Sequence, residues 1–264
     1  MTTKDRPTAL ITGASGGIGE ALARELAAQG HNLILVARSV DALDALGTEL
    51  AGSHGITSTT IGADLAQSGA GRALAAELQT RGLGVDVVVN NAGFADFGEF
   101  AHAELDKTTQ MLTLNIATLT ELTHELLAPM LERGTGRVLN VASTAAFLPG
   151  PLMAVYYATK AYVLSFSEAI AEELKGTGVT VTALCPGPTA SGFQARAAME
   201  DSKLVKGKKV MDAATVAKIG VAGMMAGKPV VICGFKNKVQ AVMPRFLPRR
   251  MVPGMVKRAQ AASS

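Results

Sequence analysis

Tyr156 and Lys160 stand four residues apart at the start of a predicted long helix. That spacing puts a phenol and an ammonium on one helix face. A free phenol titrates near ~10, and a fixed positive charge beside it favours the ionised form, so the pair can supply a proton near neutral pH. Upstream, Ser143 closes a predicted strand, RVLNVAS (Arg137–Ser143), and a Gly/Pro-bearing loop joins it to the helix. A serine hydroxyl delivered to the same place can hydrogen-bond the oxygen that receives the proton. Tyr157 is no competitor, because position 161 is alanine. Tyr-x-x-x-Lys is a weak signal alone, and such an acid needs a hydride donor to work with.

A site for that donor stands near the start of the chain. The run Thr8–Thr12 (TALIT) predicts a strand, and Glu20–Gly30 predicts a helix. Between them Gly13, Gly17 and Gly19 are spaced G-x-x-x-G-x-G. Glycines let the backbone approach a pyrophosphate, and a helix N-terminus offers N–H groups and a positive dipole. The spacing differs from G-x-G-x-x-G, so it does not by itself decide the ligand. The end of the second predicted strand bears on which dinucleotide it is. An acid there would take the ribose hydroxyls of NAD, but the chain reads Val36-Ala37-Arg38-Ser39. Arg38 can pair with a 2′-phosphate and Ser39 can add a hydrogen bond, which favours NADP(H) over NAD(H). Asp64 fits an adenine contact or a helix N-cap equally well. Asn90-Asn91-Ala92-Gly93 follows the fourth predicted strand, at the sheet edge where open α/β sheets bind ligands.

The elements that must position these residues alternate. Predicted strands cover Asn32–Arg38, Ile56–Leu65, Val85–Gly93, Val179–Gly187 and Pro229–Gly234 besides the two already named. Predicted helices cover Val40–Gly52, Gly71–Arg81, the stretch Leu105–Glu132 that contains Asn115, and Ala214–Gly227. Strands alternating with helices predict a parallel sheet with right-handed crossovers. The 264 residues, 48% of them apolar, suit a single α/β domain with a large core. Cys185 and Cys233 lie in apolar segments with no CxxC pattern, so both are expected to be buried free thiols in a reducing compartment, and no metal cluster is read. No apolar leader or run of ~18 uninterrupted apolar residues is present, and a cytoplasmic protein is expected. The stretch Thr189–Met211 lacks periodicity and reads as a lid.

In this order and spacing TGASGGIG, the aspartate of GADL, NNAG, Asn115, Ser143, YYATK and CPGPT resemble the short-chain dehydrogenase/reductase family, over Thr8 to about Gly234. The resemblance implies a Rossmann-like doubly wound parallel sheet of about seven strands and NAD(P)-dependent interconversion of carbonyl and alcohol. It implies Tyr156 as acid/base, Lys160 lowering its pKa and binding the nicotinamide ribose, Ser143 polarising the carbonyl, and Asn115 holding a water that relays protons. It places Gly13, Ser15, Gly17, Ile18, Gly19, Asp64, Leu65, Asn91, Ala92, Gly93, Pro186, Gly187 and Thr189 against the cofactor, and matches Arg38 and Ser39 to NADP-preferring members. Pro188 departs from the β-branched residue many members carry, which stiffens the root of the lid. A homodimer or homotetramer through the helices around Leu105–Glu132 and Tyr156–Lys175 is also implied.

The substrate is marked only by apolar residues near expected pocket walls: Phe94, Phe97, Phe147, Leu148, Met153 and Phe193. They suggest a hydrophobic small-molecule carbonyl or alcohol. Two other readings stay open: a catalytically silent NADP-binding regulator and a sugar-nucleotide epimerase. The intact Ser143, Tyr156 and Lys160 argue against the first. The glycine spacing and short C-terminal region argue against the second.

Residues 235–264 form a separate basic, apolar tail. The last acid is Asp212, and nine Lys or Arg follow it; the chain up to that point holds sixteen basic and twenty-two acidic residues. Prolines at 244, 248 and 253 interrupt any long helix. The tail reads as a solvated basic end packed on the body, a flap over the substrate mouth, a subunit contact, or a peripheral contact with anionic lipid. No nucleic-acid motif is present.

Overall fold

The structure, a computed structural model, describes residues 6–190 and 210–260. In chain order the elements are β1 (Thr8–Thr12), α1 (Gly17–Ala28), β2 (Asn32–Ala37), α2 (Val40–His54), β3 (Ser58–Gly62), α3 (Ala70–Thr80), β4 (Val87–Asn90), α4 (Leu105–Leu112), α5 (Leu119–Arg133), β5 (Gly136–Val141), α6 (Ala154–Glu173), β6 (Val179–Cys185), β7 (Thr189–Ala190), β8 (Met211–Asp212), α7 (Ala213–Met225), β9 (Val230–Ile232), α8 (Phe235–Val242) and α9 (Val252–Gln260). Seven strands make one parallel sheet in the order β3-β2-β1-β4-β5-β6-β9. The expected doubly wound sheet is therefore present.

Period-two alternation sends neighbouring strand residues to opposite faces. On β1, Ile11 joins Leu22, Leu26, Leu43, Val216 and Met224 in a core under α1, α2 and α7. Its neighbour Leu10 joins Leu74, Leu78, Leu122, Leu126 and Met130 in a core under α3 and α5. Full burial of each such side chain contributes roughly 1.5–3 kcal/mol. The strand order reverses between β1 and β4, which opens a crevice at their carboxyl ends.

The predicted stretch Leu105–Glu132 is one run, α4 and α5, joined through a π-helical segment at Thr113–Thr118. A π turn adds a residue to the helical register, and here it carries Asn115. The two-residue ladder β7–β8 pairs Thr189 with Met211 and Ala190 with Asp212, so the expected lid has paired roots. The remainder of that lid, with Phe193, lies outside the described residues. The prolines of the tail do break it into short pieces: α8, single 3-10 turns at Met243–Phe246 and Arg249–Met251, and α9. Among the described residues no helix is long and apolar enough to cross a membrane. Cys185 and Cys233 are both buried and free.

Candidate active site

The glycine turn is shaped by close packing. Gly13 and Gly17 take φ of 67° and 60°, which L side chains rarely adopt. A Cβ on Gly19 would lie 2.2 Å from the Gly13 carbonyl oxygen and 2.5 Å from Asn91 Nδ2, so this glycine lets α1 seat on the turn. Asn91 holds the arrangement together: its side-chain amide donates to the carbonyls of Thr12 at 2.9 Å and Gly13 at 3.2 Å, and its backbone N–H donates to Thr12 Oγ1 at 3.0 Å. Asn91 both lines the cleft, as expected, and holds the turn, whereas Gly19 packs against the Gly13 carbonyl and does not line the cleft. No side chain caps the N-terminus of α1. Its first-turn N–H groups are thus left for an anion. A Cβ on Gly16 would meet nothing within 4 Å. The turn fits a dinucleotide pyrophosphate by these observations.

One cleft of about 1420 Å³ runs from this turn to the tail. Gly13, Ser15, Gly17, Ile18, Arg38, Ser39, Asp64, Leu65, Asn91, Ala92 and Gly93 line it, as do Pro186, Gly187 and Thr189. Arg38 is exposed. Asp64 is not a helix N-cap, since α3 starts at Ala70 behind Gly69. Its carboxylate accepts from Gln67 Nε2 at 2.8 Å and from Ala66 N–H at 3.2 Å, and these bonds, with Arg38 nearby, hold it below the usual carboxylate range.

Ser143, Tyr156 and Lys160 all line the cleft and meet there. Ser143 leaves the end of β5 and caps a short 3-10 turn, accepting from Ala145 N–H at 3.1 Å. Its side chain also hydrogen-bonds the Tyr156 phenol, which is buried. Lys160 is 5% exposed; Nζ donates to the Val141 carbonyl at 2.8 Å and lies 5.8 Å from the centroid of the Tyr156 ring. Burial pushes the Lys160 ammonium down to about 8. Burial also raises the Tyr156 phenol above its ordinary range, and the Ser143 hydrogen bond opposes that only in part. The expected lowering of Tyr156 is thus not what the chain alone produces: desolvation outweighs the Ser143 hydrogen bond.

Asn115 stands behind the cleft, 1% exposed. Its amide exchanges two hydrogen bonds with the Phe94 backbone, at 3.0 and 3.2 Å, and donates to Thr159 Oγ1 at 3.1 Å. A Cβ on Gly93 would lie 2.9 Å from Asn115 Oδ1 and 3.6 Å from Lys160 Nζ, so Gly93 admits both groups. Asn115 clamps the loop after β4 onto α6.

Of the apolar candidates, Phe94, Leu148 and Met153 line the cleft. Phe147 does not: it packs with Ala142, Val163 and Leu164 in a core on the other side of its turn. Phe97 packs at the edge of the cluster around Tyr156 and Tyr157 without lining the cleft. Further apolar wall comes from the tail, as a flap over the substrate mouth would supply, through residues the sequence reading did not name: Met243, Leu247, Val252, Met255 and Val256. Val252 and Val256 pack against Tyr156, Tyr157 and Met111. The signal available was the spacing of Val252, Val256 and Gln260, each four apart, which are the buried residues of α9.

With this geometry in view, the comparisons with known proteins are decisive for the family. Residues 7–201 match the family described as short chain dehydrogenase. The chain belongs to the short-chain dehydrogenase family. It is 35% identical over 182 residues to a bovine (Bos taurus) very-long-chain 3-oxoacyl-CoA reductase, a match that takes in 67% of this chain and 58% of that one. It thus spans little more than half of that relative. Among solved structures it superposes with a TM-score of 0.81 on a short-chain dehydrogenase from Sphingobium yanoikuyae in complex with NADPH, at 31% identity over 97% of this chain and 99% of the other. A bulky-bulky ketone specific alcohol dehydrogenase from Comamonas testosteroni gives a TM-score of 0.76 at 29% identity, over 92% of this chain and 99% of that one. This short-chain dehydrogenase thus has solved neighbours along nearly its whole length.

Proposed function

We propose that this short-chain dehydrogenase interconverts a bulky, apolar ketone or aldehyde and its alcohol with NADP(H), with Tyr156 as the acid/base. The observation that carries the reading is the meeting of Ser143, Tyr156 and Lys160 in one cleft that is also lined by the glycine turn and by apolar tail residues. Small-molecule pockets are typically ~300–1000 Å³. A cleft of about 1420 Å³ has room for a dinucleotide and a second molecule. The solved neighbours described with NADPH and as specific for bulky ketones point the same way.

The glycine turn and the α1 N-terminus would hold the pyrophosphate, Arg38 and Ser39 the 2′-phosphate, and Lys160 with Pro186, Gly187 and Thr189 the nicotinamide end. A bound nicotinamide supplies or accepts the hydride. The chain's own part is the proton. Tyr156, raised by burial, carries its proton at neutral pH and is ready to act as an acid. Its O–H bond breaks as an O–H bond forms on the substrate oxygen. Ser143 donates a hydrogen bond to the same oxygen, and the phenolate left behind faces a Lys160 that is still largely cationic at pH 7, since it titrates at about 8. The apolar wall of Leu247, Val252 and Val256 excludes water from the transfer and selects hydrophobic substituents. Tyr162 on α6, exposed and bonded to Thr120 on α5 at 2.9 Å, offers a face for a homodimer or homotetramer.

The test is NADPH oxidation followed at 340 nm against ketones bulky on both sides, quinones and 3-oxoacyl thioesters. Turnover by the wild type and a loss of ~10²–10⁴-fold in Tyr156→Phe, with NADPH still bound, is expected. Undiminished turnover in Tyr156→Phe overturns the assignment of the acid.

A further inference from the structure

The tail turns two different faces outward and inward. On α8, Phe235, Val239 and Val242 follow i, i+4, i+7 spacing and share one face, and all three are exposed, Phe235 at 80%. Asn237 and Ala241 occupy the opposite face, where Ala241 is buried and Asn237 packs against Gly187. Lys236 and Lys238 border the apolar stripe on its two sides, as a helix lying in a bilayer interface requires. Phe246, 82% exposed, and Met251 continue the apolar surface through the 3-10 turns.

The charge on this surface has one sign. From Phe235 onward the chain carries seven Lys or Arg and no acid. All seven are exposed, and among the described residues none of them forms a salt bridge. A second copy of this chain meeting it tail to tail would set seven positive charges against seven. An anionic bilayer offers negative headgroups to the cations and an acyl boundary to Phe235, Val239 and Phe246 at once.

We propose that residues 235–260 are a bilayer-contact surface for anionic phospholipid. The cleft opens beside it: Phe235, Met243 and Met255 are exposed and also line the cleft. Seated on lipid, the tail sets the mouth of the cleft at the acyl boundary, where an apolar ketone concentrates. This supply route rests on the carbonyl-reductase reading above; the lipid contact does not.

The test is co-sedimentation of the full chain with vesicles of phosphatidylcholine alone and of phosphatidylcholine with about one-third phosphatidylglycerol. At least tenfold more protein is expected on the anionic vesicles, falling with added salt. Val239→Ser/Phe246→Ser and, separately, Arg249→Glu/Arg250→Glu should each lower that binding about tenfold or more, with circular dichroism and the melting temperature confirming that each variant is folded. None of these four residues lines the cleft. No partition of wild type onto anionic vesicles, or equal partition of wild type and both folded variants, overturns the proposal. So does a dimer in light scattering that the variants dissociate while vesicles stay bare. Vesicle binding without turnover would strike the carbonyl-reductase reading and leave the lipid contact standing.

Discussion

The side-chain amide of Gln260 donates a hydrogen bond to the phenolic oxygen of Tyr157, the residue next to Tyr156. Both are buried, and the Tyr157 ring stands edge-on to Tyr156 with centroids 6.1 Å apart at 77°. Gly150 leaves room for it: a Cβ there would lie 2.3 Å from Tyr157 Cγ. The end of α9, Tyr157 and Tyr156 therefore form one packed column, so the tail can act on the geometry of Tyr156, the proposed acid.

Gln260→Leu tests that coupling. It removes the donor and leaves the Tyr157 hydroxyl facing an apolar side chain, a cost of about 1–3 kcal/mol. A lowered melting temperature is expected, together with a several-fold rise in KM for a bulky ketone and unchanged NADPH affinity. An unchanged melting temperature and KM would show that α9 is only a neighbour.

Lys160 gives a prediction with a defined pH window. Burial lowers its folded pKa from the ordinary 10.5 to about 8. The folded state therefore resists holding this proton, which costs roughly 3 kcal/mol below pH 8 and nothing above 10.5. Between those limits the unfolded chain binds more protons, so stability from this group rises with pH. Lys160→Met removes the penalty along with the hydrogen bond to Val141. The variant should be inactive yet at least as stable as wild type at pH 7, and its advantage should shrink as pH climbs from 8 towards 10.5. The comparison between the two proteins is the readout, because Tyr156, Cys185 and Cys233, all raised by burial, take stability away above pH 9–10 in both. A pH-independent difference in urea-unfolding free energy would sink this account.

Arg38 is the test of cofactor choice. It is exposed and lines the cleft just past β2, and Asp64, the acid that feels its charge, is occupied by Ala66 and Gln67. A charge-assisted hydrogen bond contributes about 1.5–3 kcal/mol, or tenfold to a hundredfold in affinity. Arg38→Asp should weaken NADPH by that factor and improve NADH, measured by fluorescence titration. An NADPH/NADH affinity ratio that does not move would remove Arg38 as the phosphate reader.

The sheet and the meeting of Ser143, Tyr156 and Lys160 were legible because each depends on local pattern. Alternating strands and helices with glycine-bearing turns dictate the layers, and a four-residue spacing dictates that Tyr156 and Lys160 share a face. What escaped depends on contacts between distant segments. Phe147 and Leu148 are adjacent in sequence, yet Phe147 joins the core beside Val163 while Leu148 lines the cleft; a 3-10 turn decides it. Gly19 looks like a ligand contact in the glycine spacing, yet it packs on the Gly13 carbonyl and Asn91, a contact between distant segments. The tail could be read as a flap but its lining residues could not be named, because the four-residue spacing of Val252, Val256 and Gln260 acquires meaning only when α9 packs on Tyr156 and Tyr157.

Gly19 gives the sharpest structural test of that last distinction. If it served the cofactor alone, Gly19→Ala would weaken NADPH binding and leave the fold untouched. The added methyl would instead fall 2.2 Å from the Gly13 oxygen and 2.9 Å from its carbonyl carbon, both backbone atoms that cannot rotate away. Relief requires α1 to lift off the turn, which strains Leu22 and Leu26 in the core beneath. Overpacking of this kind costs about 1–3 kcal/mol. The expected result is a lower melting temperature without NADPH present, with weakened NADPH binding following from the displaced turn. Gly16→Ala is the control, since its Cβ meets no atom within 4 Å and its φ of 168° is extended backbone open to any residue. It should melt with the wild type. Equal melting of Gly19→Ala and wild type would return Gly19 to the cofactor-contact reading.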